Sequence, residues 1–128
     1  MRLKLTVLAG VAVLVLGLCS VSLAAGGVVG TYTTTVKSPV QVKGKWTLAL
    51  AKGGSFTVAL DGQIVARGRY SATPKRITFG PERGGACRGS GTYGWKKSGK
   101  TMTFTRKREA VSCQGRAAVL AHPFKQVR

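Results

Sequence analysis

The sequence contains few of the side chains on which most enzymes depend. Three of its 128 residues are acidic, Asp61, Glu82 and Glu109, and His122 is its single histidine. General acid–base catalysis needs titratable groups that meet in space with different pKa values. We interpret Asp61, which precedes Gly62, as a turn residue, Glu82 and Glu109 as solvated neighbours of arginines, and His122 as an ordinary residue at the start of a strand. We therefore do not expect the chain to be an enzyme.

Cysteine is also scarce, which bears on metal and cofactor binding. A structural zinc site needs about four Cys or His ligands at short spacings. Beyond the first 24 residues the chain offers two cysteines, Cys87 and Cys113, which are 26 positions apart, and one histidine. Its glycine-rich segments lack the Gly-Lys-Ser/Thr ending of a phosphate-binding loop. We expect neither a metal nor a cofactor.

No charged residue occurs between Lys4 and Lys37. Arg2 and Lys4 precede an apolar run, and Ser22-Leu23-Ala24 follows it, which is the layout of a secretory signal peptide at residues 1–24. One alternative is an uncleaved anchor that keeps the protein on the membrane. Another is lipidation at Cys19, although Leu18 occupies the position where lipidation needs a small residue. All three place the domain at residues 25–128 outside the cytoplasmic membrane, secreted or in the cell envelope.

Removal of the signal peptide leaves two cysteines, Cys87 and Cys113. An even number of cysteines in an exported chain predicts a disulfide, the alternative being two separate buried thiols. Residues 25–128 keep 19 of the 21 Lys and Arg residues and all three acids, a formal charge of +16. Such a charge attracts anionic surfaces, or serves solubility alone. The basic residues are spread along the chain, and Arg106, Lys107 and Arg108 form the compact cluster.

Alternating apolar residues predict a series of short strands. A three-residue loop at residues 52–54 sets Trp46 opposite Leu60 and Leu50 opposite Phe56. A further three-residue loop at residues 61–63 sets Leu60 opposite Ile64 and Phe56 opposite Gly68. We expect Gly68 to leave room for the Phe56 ring or to allow the sheet to bend.

The segment 86–114 has a cysteine near each end, and its pattern indicates a hairpin. A loop at Ser98-Gly99 pairs Trp95 with Met102 and Tyr93 with Phe104 on one apolar face. Residues 115–121 favour a helix of two turns, and residues 123–127 a last strand, at an edge or beside the first strand. The predicted fold class is all-β: a small up-and-down antiparallel barrel of about eight strands with one short helix near the C-terminus.

The order of several short phrases resembles small exported bacterial proteins with a lipocalin-like, calycin-type barrel. The phrases are Gly30-Thr31-Tyr32, Trp46-Thr47-Leu48, Cys87 followed by residues 89–95, residues 101–105, and Cys113-Gln114-Gly115-Arg116 leading to Pro123-Phe124. The resemblance implies a barrel that binds a small apolar or amphipathic molecule in its interior. The chain departs from lipocalins in its shorter length and in having Tyr32 where their opening Gly-x-Trp has tryptophan.

Two functions remain open from the sequence. The first is an exported binding protein that takes a small apolar or amphipathic ligand in the barrel, where basic residues near the mouth favour an anionic head group. The interior candidates are Trp46, Phe56, Tyr70, Tyr93, Trp95, Met102 and Phe104. The second is a solid barrel whose basic exterior, with Arg106, Lys107 and Arg108, binds anionic envelope polymers or lipid. We do not expect nucleic acid binding, because the register turns Tyr93 and Trp95 inward rather than leaving them to stack on bases.

Overall fold

A computed structural model describes residues 27–128, which form a closed antiparallel barrel of eight strands in chain order. The predicted all-β up-and-down barrel is confirmed. The predicted signal peptide or anchor, and Cys19, lie outside the described residues. The strands are β1 (Gly30–Val36), β2 (Gly44–Leu50), β3 (Ser55–Leu60), β4 (Gln63–Ala72), β5 (Arg76–Phe79), β6 (Gly91–Ser98), β7 (Thr101–Arg108) and β8 (Phe124–Gln126).

One helix, α1 (Gln114–Leu120), precedes the last strand and follows a 3-10 turn at Val111–Cys113. The predicted helix near the C-terminus is confirmed, and it starts and ends one residue earlier than the sequence pattern indicated. A second 3-10 turn, Val40–Val42, connects β1 to β2. Strand β8 pairs with both β7 and β1, so this short strand closes the barrel.

The β2–β3 hairpin has the predicted register. Trp46 lies opposite Leu60, Leu48 opposite Val58, and Leu50 opposite Phe56. In this register the apolar residues of both strands share one face, which is what alternation in each strand requires.

The β3–β4 connection differs from the prediction. Its loop has two residues, Asp61 and Gly62, rather than three, and both have positive φ. Asp-Gly is a preferred pair for a type I′ turn, which needs positive φ at both positions. A register shift between Val58 and Ala59 compensates, so Phe56 still faces Gly68, but Ile64 pairs with Ala59 instead of Leu60.

The β6–β7 hairpin also turns one residue later than predicted. Its loop is Gly99-Lys100, and Gly99 has a φ of 59°. A type II′ turn needs positive φ only at its first central position, which glycine takes without strain. Trp95 consequently pairs with Phe104, and Tyr93 with Arg106, a shift of two residues that keeps every side chain on its predicted face.

Aromatic side chains fill the centre of the barrel. Phe79 packs edge to face against Phe56, with ring centroids 5.4 Å apart, and also against Tyr93 and Phe104 at 6.1 Å. Phe104 continues the chain of contacts to Phe124 at 5.7 Å. Edge-to-face pairs of this kind stabilise a core beyond the area that they bury.

Gly68 gives a first test of this packing. A Cβ on Gly68 would lie 2.6 Å from the Phe56 ring and 2.8 Å from the carbonyl oxygen of Pro81. We expect Gly68→Ala to lower the free energy of unfolding by about 3 kcal/mol, because the added methyl group would overlap both a core ring and a backbone carbonyl. Gly53→Ala is the control, since nothing lies within 4 Å of its Cβ position. Urea unfolding measures both, and equal stabilities would contradict this account of Gly68.

Candidate functional site

The two ends of the barrel are built differently. At one end, which we call the helix end, lie the β1–β2 connection, the Asp61-Gly62 turn, the glycine-rich loop at residues 80–90, and α1. At the other, the closed end, lie residues 27–29 and the connections that follow β2, β4 and β6. In an up-and-down barrel successive connections alternate between the ends, so these assignments follow from the strand order.

Aromatic side chains fill the closed end. The Tyr32 hydroxyl donates to Val28 O at 2.8 Å, and the Tyr70 hydroxyl to Ala51 O at 2.6 Å. Burial raises the pKa of both tyrosines above the ordinary value. Trp95 is half-buried, and its Nε1 donates to Thr73 O at 2.9 Å. Since Tyr32 and Tyr70 are buried and their hydroxyl groups bond to the backbone, this end is packed rather than open.

The helix end contains an apolar pocket of about 240 Å³. Buried core residues form its floor, among them Leu48, Phe56, Phe79, Leu120 and Phe124. Exposed residues form its rim: Val65, Ala86, Ser112 and Gly115. The barrel interior is therefore filled at one end and accessible at the other.

The structure separates the predicted interior residues into three groups. Trp46 and Phe56 line the pocket, and Trp46 Nε1 donates to Val42 O at 2.8 Å. Tyr93 and Phe104 are buried and border a second cleft, of about 500 Å³, beside α1. The other three, Tyr70, Met102 and Trp95, line neither; Met102 is fully buried.

A charged cluster beside the pocket corrects one prediction. Glu109 was expected to be solvated, but its side chain is 1% exposed and forms an ion pair with Arg116. Arg116 Nη2 donates to Glu109 Oε1 at 2.7 Å, and Arg116 Nε to Oε2 at 2.9 Å. The Tyr93 hydroxyl and the Ala110 backbone N–H also donate to this carboxylate. The two-point geometry suits a guanidinium and a carboxylate.

Opposing effects set the pKa values in this cluster. Burial alone would raise the pKa of Glu109, but hydrogen bonds from Arg116, Tyr93 and Ala110 outweigh it, so this pKa lies below its ordinary value. Burial would lower the pKa of Arg116, but Glu109 outweighs it, so that pKa is raised. Burial and the hydrogen bond to Glu109 raise the pKa of Tyr93. All three groups therefore hold fixed protonation states near neutral pH.

Glu82 was also expected to be solvated, and this prediction is wrong as well. Its side chain is 12% exposed, it lines the pocket, and its Oε2 lies 3.8 Å from Arg116 Nη1. Burial raises its pKa, while attraction to Arg116 lowers it and repulsion from Glu109 raises it further. Among the described residues, Glu82 is the one acidic residue that lines this pocket.

Arg116 also fastens the glycine-rich loop. Its Nη1 donates to Gly80 O at 3.0 Å and its Nη2 to Gly89 O at 2.9 Å. The same loop is joined to the start of α1 by the Cys87–Cys113 disulfide, whose Cα atoms are 4.6 Å apart. The predicted disulfide is therefore present, and both of its cysteines line the pocket.

The disulfide also bears on metal binding. Donor atoms of Cys87, Glu109 and Cys113 lie within 4.8 Å of one another, a spacing that a metal ion could use. Bonded sulfurs are not thiolates, however, and a cysteine must be a thiolate to bind zinc. We therefore do not assign this group as a metal site.

The basic cluster lies at the helix end, where β7 finishes. Arg106, Lys107 and Arg108 are all exposed, and Arg106 borders the second cleft. Both ion pairs among residues 27–128 involve Arg116, so in this part of the chain the other 18 Lys and Arg side chains are without a carboxylate partner.

The sequence did not indicate the pairing of Glu109 with Arg116. Glu109 follows three basic residues that are closer to it in the chain than Arg116 is. Arg116 reaches Glu109 only because α1 folds back over the end of the barrel. Gly91 shows how tight this site is: a Cβ there would overlap the Glu109 carboxylate.

Comparisons with models of protein families, with curated proteins and with solved structures find no match to this chain. Among residues 27–128, no helix is both long and apolar enough to cross a membrane. The function must therefore be inferred from the chemistry of the site itself.

Proposed function

We propose that this protein is an exported binding protein that takes a small apolar or amphipathic molecule into the pocket at the helix end. The observation that carries the proposal is a pocket of about 240 Å³ with a floor of buried apolar side chains and an exposed rim. Binding sites for small molecules are mostly apolar, concave and largely pre-formed. Binding of this kind is also what the resemblance to lipocalin-like barrels implies.

The size of the pocket limits the ligand. A cavity of about 150 Å³ holds benzene, so 240 Å³ accommodates about ten non-hydrogen atoms. A medium-length alkyl chain, or a ring with a short substituent, fits this space. A longer chain would extend past the rim.

The charges around the pocket favour an amphipathic ligand with its head group outside. Glu82 and Arg116 both line the pocket, but Glu109 already neutralises Arg116, so an anionic head group would be repelled from the interior by Glu82. Outside it, Lys43, Arg83 and Arg88 are exposed in the connections at this end. A ligand with its anionic head group at the rim and its alkyl chain inside would meet the basic residues outside the pocket and keep its charge away from Glu82.

A chain-length series tests the proposal. We expect the affinity for straight-chain carboxylates to rise about fourfold per methylene group from hexanoate and to level off near decanoate, when the pocket is full. In the Trp95→Phe variant, Trp46 fluorescence reports binding, because Trp46 lines the pocket. Native mass spectrometry of the parent detects any ligand retained through purification.

Matched variants locate the binding site. Ala86→Phe places a ring at the rim and should lower the affinity for decanoate at least about tenfold, whereas Ala51→Phe, exposed at the closed end, should not. If carboxylates, alcohols and amines of these lengths all leave Trp46 fluorescence unchanged, and no ligand is retained, the proposal is wrong.

The second candidate is that the basic exterior itself binds anionic envelope polymers or lipid. It is favoured by the 18 basic side chains without a carboxylate partner among the described residues. Binding of this kind collapses between low and moderate salt. Replacing Arg106, Lys107 and Arg108 by glutamine should weaken it and should leave decanoate binding unchanged.

A further inference from the structure

Exposed apolar side chains are concentrated at the helix end. Residues 27–128 contain five large apolar residues that are clearly exposed, and four of them lie in connections or strand ends at this end. They are Val40 (73% exposed), Ile64 (52%), Val65 (37%) and Val111 (89%). The fifth, Val127, is at the closed end. Single exposed apolar residues need no explanation, but a concentration on one surface does.

Each of these four residues either lines the pocket or lies within two positions of a residue that does. Val65 lines it directly, and Ile64 precedes Val65 in the strand. Val40 belongs to the same 3-10 turn as the lining residue Val42, and Val111 precedes the rim residue Ser112. Three separate chain segments that contribute to the pocket thus carry exposed apolar side chains. The register shift at Val58 and Ala59 leaves Val65 without a residue of β3 directly opposite it, as bulges at barrel rims often do.

The charge at the same end is strongly positive. Lys37, Lys43, Arg83, Arg88, Arg106 and Arg108 are exposed there. Two of the three acidic residues at this end, Glu82 and Glu109, are turned toward Arg116. The third is Asp61, whose Oδ1 accepts a hydrogen bond from the Lys45 backbone N–H at 2.9 Å.

We propose that the helix end docks on an anionic lipid membrane, with the four apolar residues entering the interface and the pocket mouth facing the lipid. A group of exposed apolar side chains at a basic end of the barrel is complementary to lipid chains beneath anionic head groups. An anionic polymer would fit less well, because it gains nothing from apolar side chains. Basic residues occur at both ends, whereas the exposed apolar residues favour one. Docking does not depend on the pocket being occupied.

The two tryptophans report which end meets the membrane. Trp46 lies in β2 at the helix end, and Trp95 lies at the closed end, where a Cβ on Gly27 would be 3.1 Å from its ring. The sequence has no other tryptophan. The full chain is therefore compared as Trp95→Phe and Trp46→Phe variants on vesicles of equal parts phosphatidylglycerol and brominated phosphatidylcholine. We expect quenching of Trp46 and little quenching of Trp95.

The opposite result would overturn the proposal. Residue 27 lies at the closed end, so attachment through the N-terminal segment alone would bring Trp95, not Trp46, toward the lipid. Equal quenching of both tryptophans would show binding without a preferred end and would also overturn it.

Matched substitutions separate the apolar from the electrostatic contribution. Ile64→Ser with Val111→Ser should weaken vesicle binding about tenfold, whereas Val127→Ser should not change it. Arg83→Gln with Arg88→Gln should weaken it about 25-fold, at about fivefold for each basic residue near the surface. Circular dichroism and thermal unfolding confirm that each variant is folded.

Heparin distinguishes lipid from polymer. The Ile64→Ser and Val111→Ser variant should bind heparin as the parent does, because heparin contacts charge alone. If this variant binds vesicles as tightly as the parent, the surface recognises charge only and the docking proposal is wrong. Decanoate binding, measured on the same variants without vesicles, shows separately whether the pocket functions.

Discussion

Replacing Glu109 by glutamine is expected to lower the free energy of unfolding by about 3 to 5 kcal/mol. The Glu109 side chain is 1% exposed, and that of its partner Arg116 is 6% exposed. Glutamine keeps the shape but removes the charge, so the Arg116 guanidinium is left buried with only the more distant Glu82 carboxylate. Urea unfolding of the parent and the variant measures the loss.

Asp61→Asn is the matched control, because it makes the same chemical change at an exposed residue in a turn. Asparagine tolerates positive φ, so we expect a change within about 0.5 kcal/mol. If the two variants lose the same free energy of unfolding, the buried Glu109–Arg116 ion pair does not stabilise the fold more than an exposed carboxylate does.

A double-mutant cycle separates the pair from its surroundings. In the variant with Glu109→Gln and Arg116→Met, no buried guanidinium is left uncompensated, so the loss should be smaller than the sum of the two single losses by about 1 to 3 kcal/mol. Additive losses would show that the two residues act independently.

The pH dependence of stability has two opposing contributions. The folded-state pKa of Glu109 lies below the ordinary value of 4.5, so its stabilisation is complete above that pH and is lost as the pH falls through the folded-state pKa. The pKa of Glu82 is raised, so its contribution has the opposite sign and stability falls as the pH rises through its folded-state value. Glu109→Gln should therefore remove most of the loss of folding stability at acid pH. Glu82→Gln should make the stability fall more steeply as the pH decreases.

The sequence predicted the strands better than the turns. Alternation placed Trp46, Leu48 and Leu50 on one face and left a single register for β2 and β3. The two hairpins that were placed wrongly both end in a glycine-containing turn, where the choice between turn types depends on φ at two positions. The error in β6–β7 kept the apolar residues on their predicted face. The actual β3–β4 register puts Ile64 on the exposed face, opposite Ala59, but leaves Phe56 facing Gly68, so the barrel could still be predicted.

The candidate site was less predictable because it depends on contacts between distant segments. Of seven predicted interior residues, only Trp46 and Phe56 line the pocket. Periodicity shows which side chains point inward, but it does not show which end of a barrel is filled. Here the side chains that fill the closed end, Tyr32, Tyr70 and Trp95, donate hydrogen bonds to backbone carbonyl groups outside their own strands. No local sequence pattern indicates those hydrogen bonds.

The second large effect is expected at the disulfide. Cys87 and Cys113 are 26 residues apart, and a cross-link of this span stabilises a fold by about 3 to 4 kcal/mol by restricting the unfolded chain. We expect the Cys87→Ala and Cys113→Ala double variant to lose this amount, and the parent to lose a similar amount when a reductant is added. Urea unfolding with and without reductant measures both, and a parent midpoint that does not respond to reductant would contradict the role of the disulfide.

The disulfide and Arg116 fasten the same loop, so their losses should not be independent. Cys87 lies in the glycine-rich loop, and Arg116 holds that loop through Gly80 O and Gly89 O. While either attachment remains, the loop keeps its place at the rim of the pocket. The Cys87→Ala and Cys113→Ala variant should therefore bind decanoate almost normally, and so should the Glu109→Gln and Arg116→Met variant, in which neither member of the buried pair is left uncompensated. Combining the two should release the loop, lower the decanoate affinity at least about tenfold and destabilise the barrel by more than the sum of the separate losses.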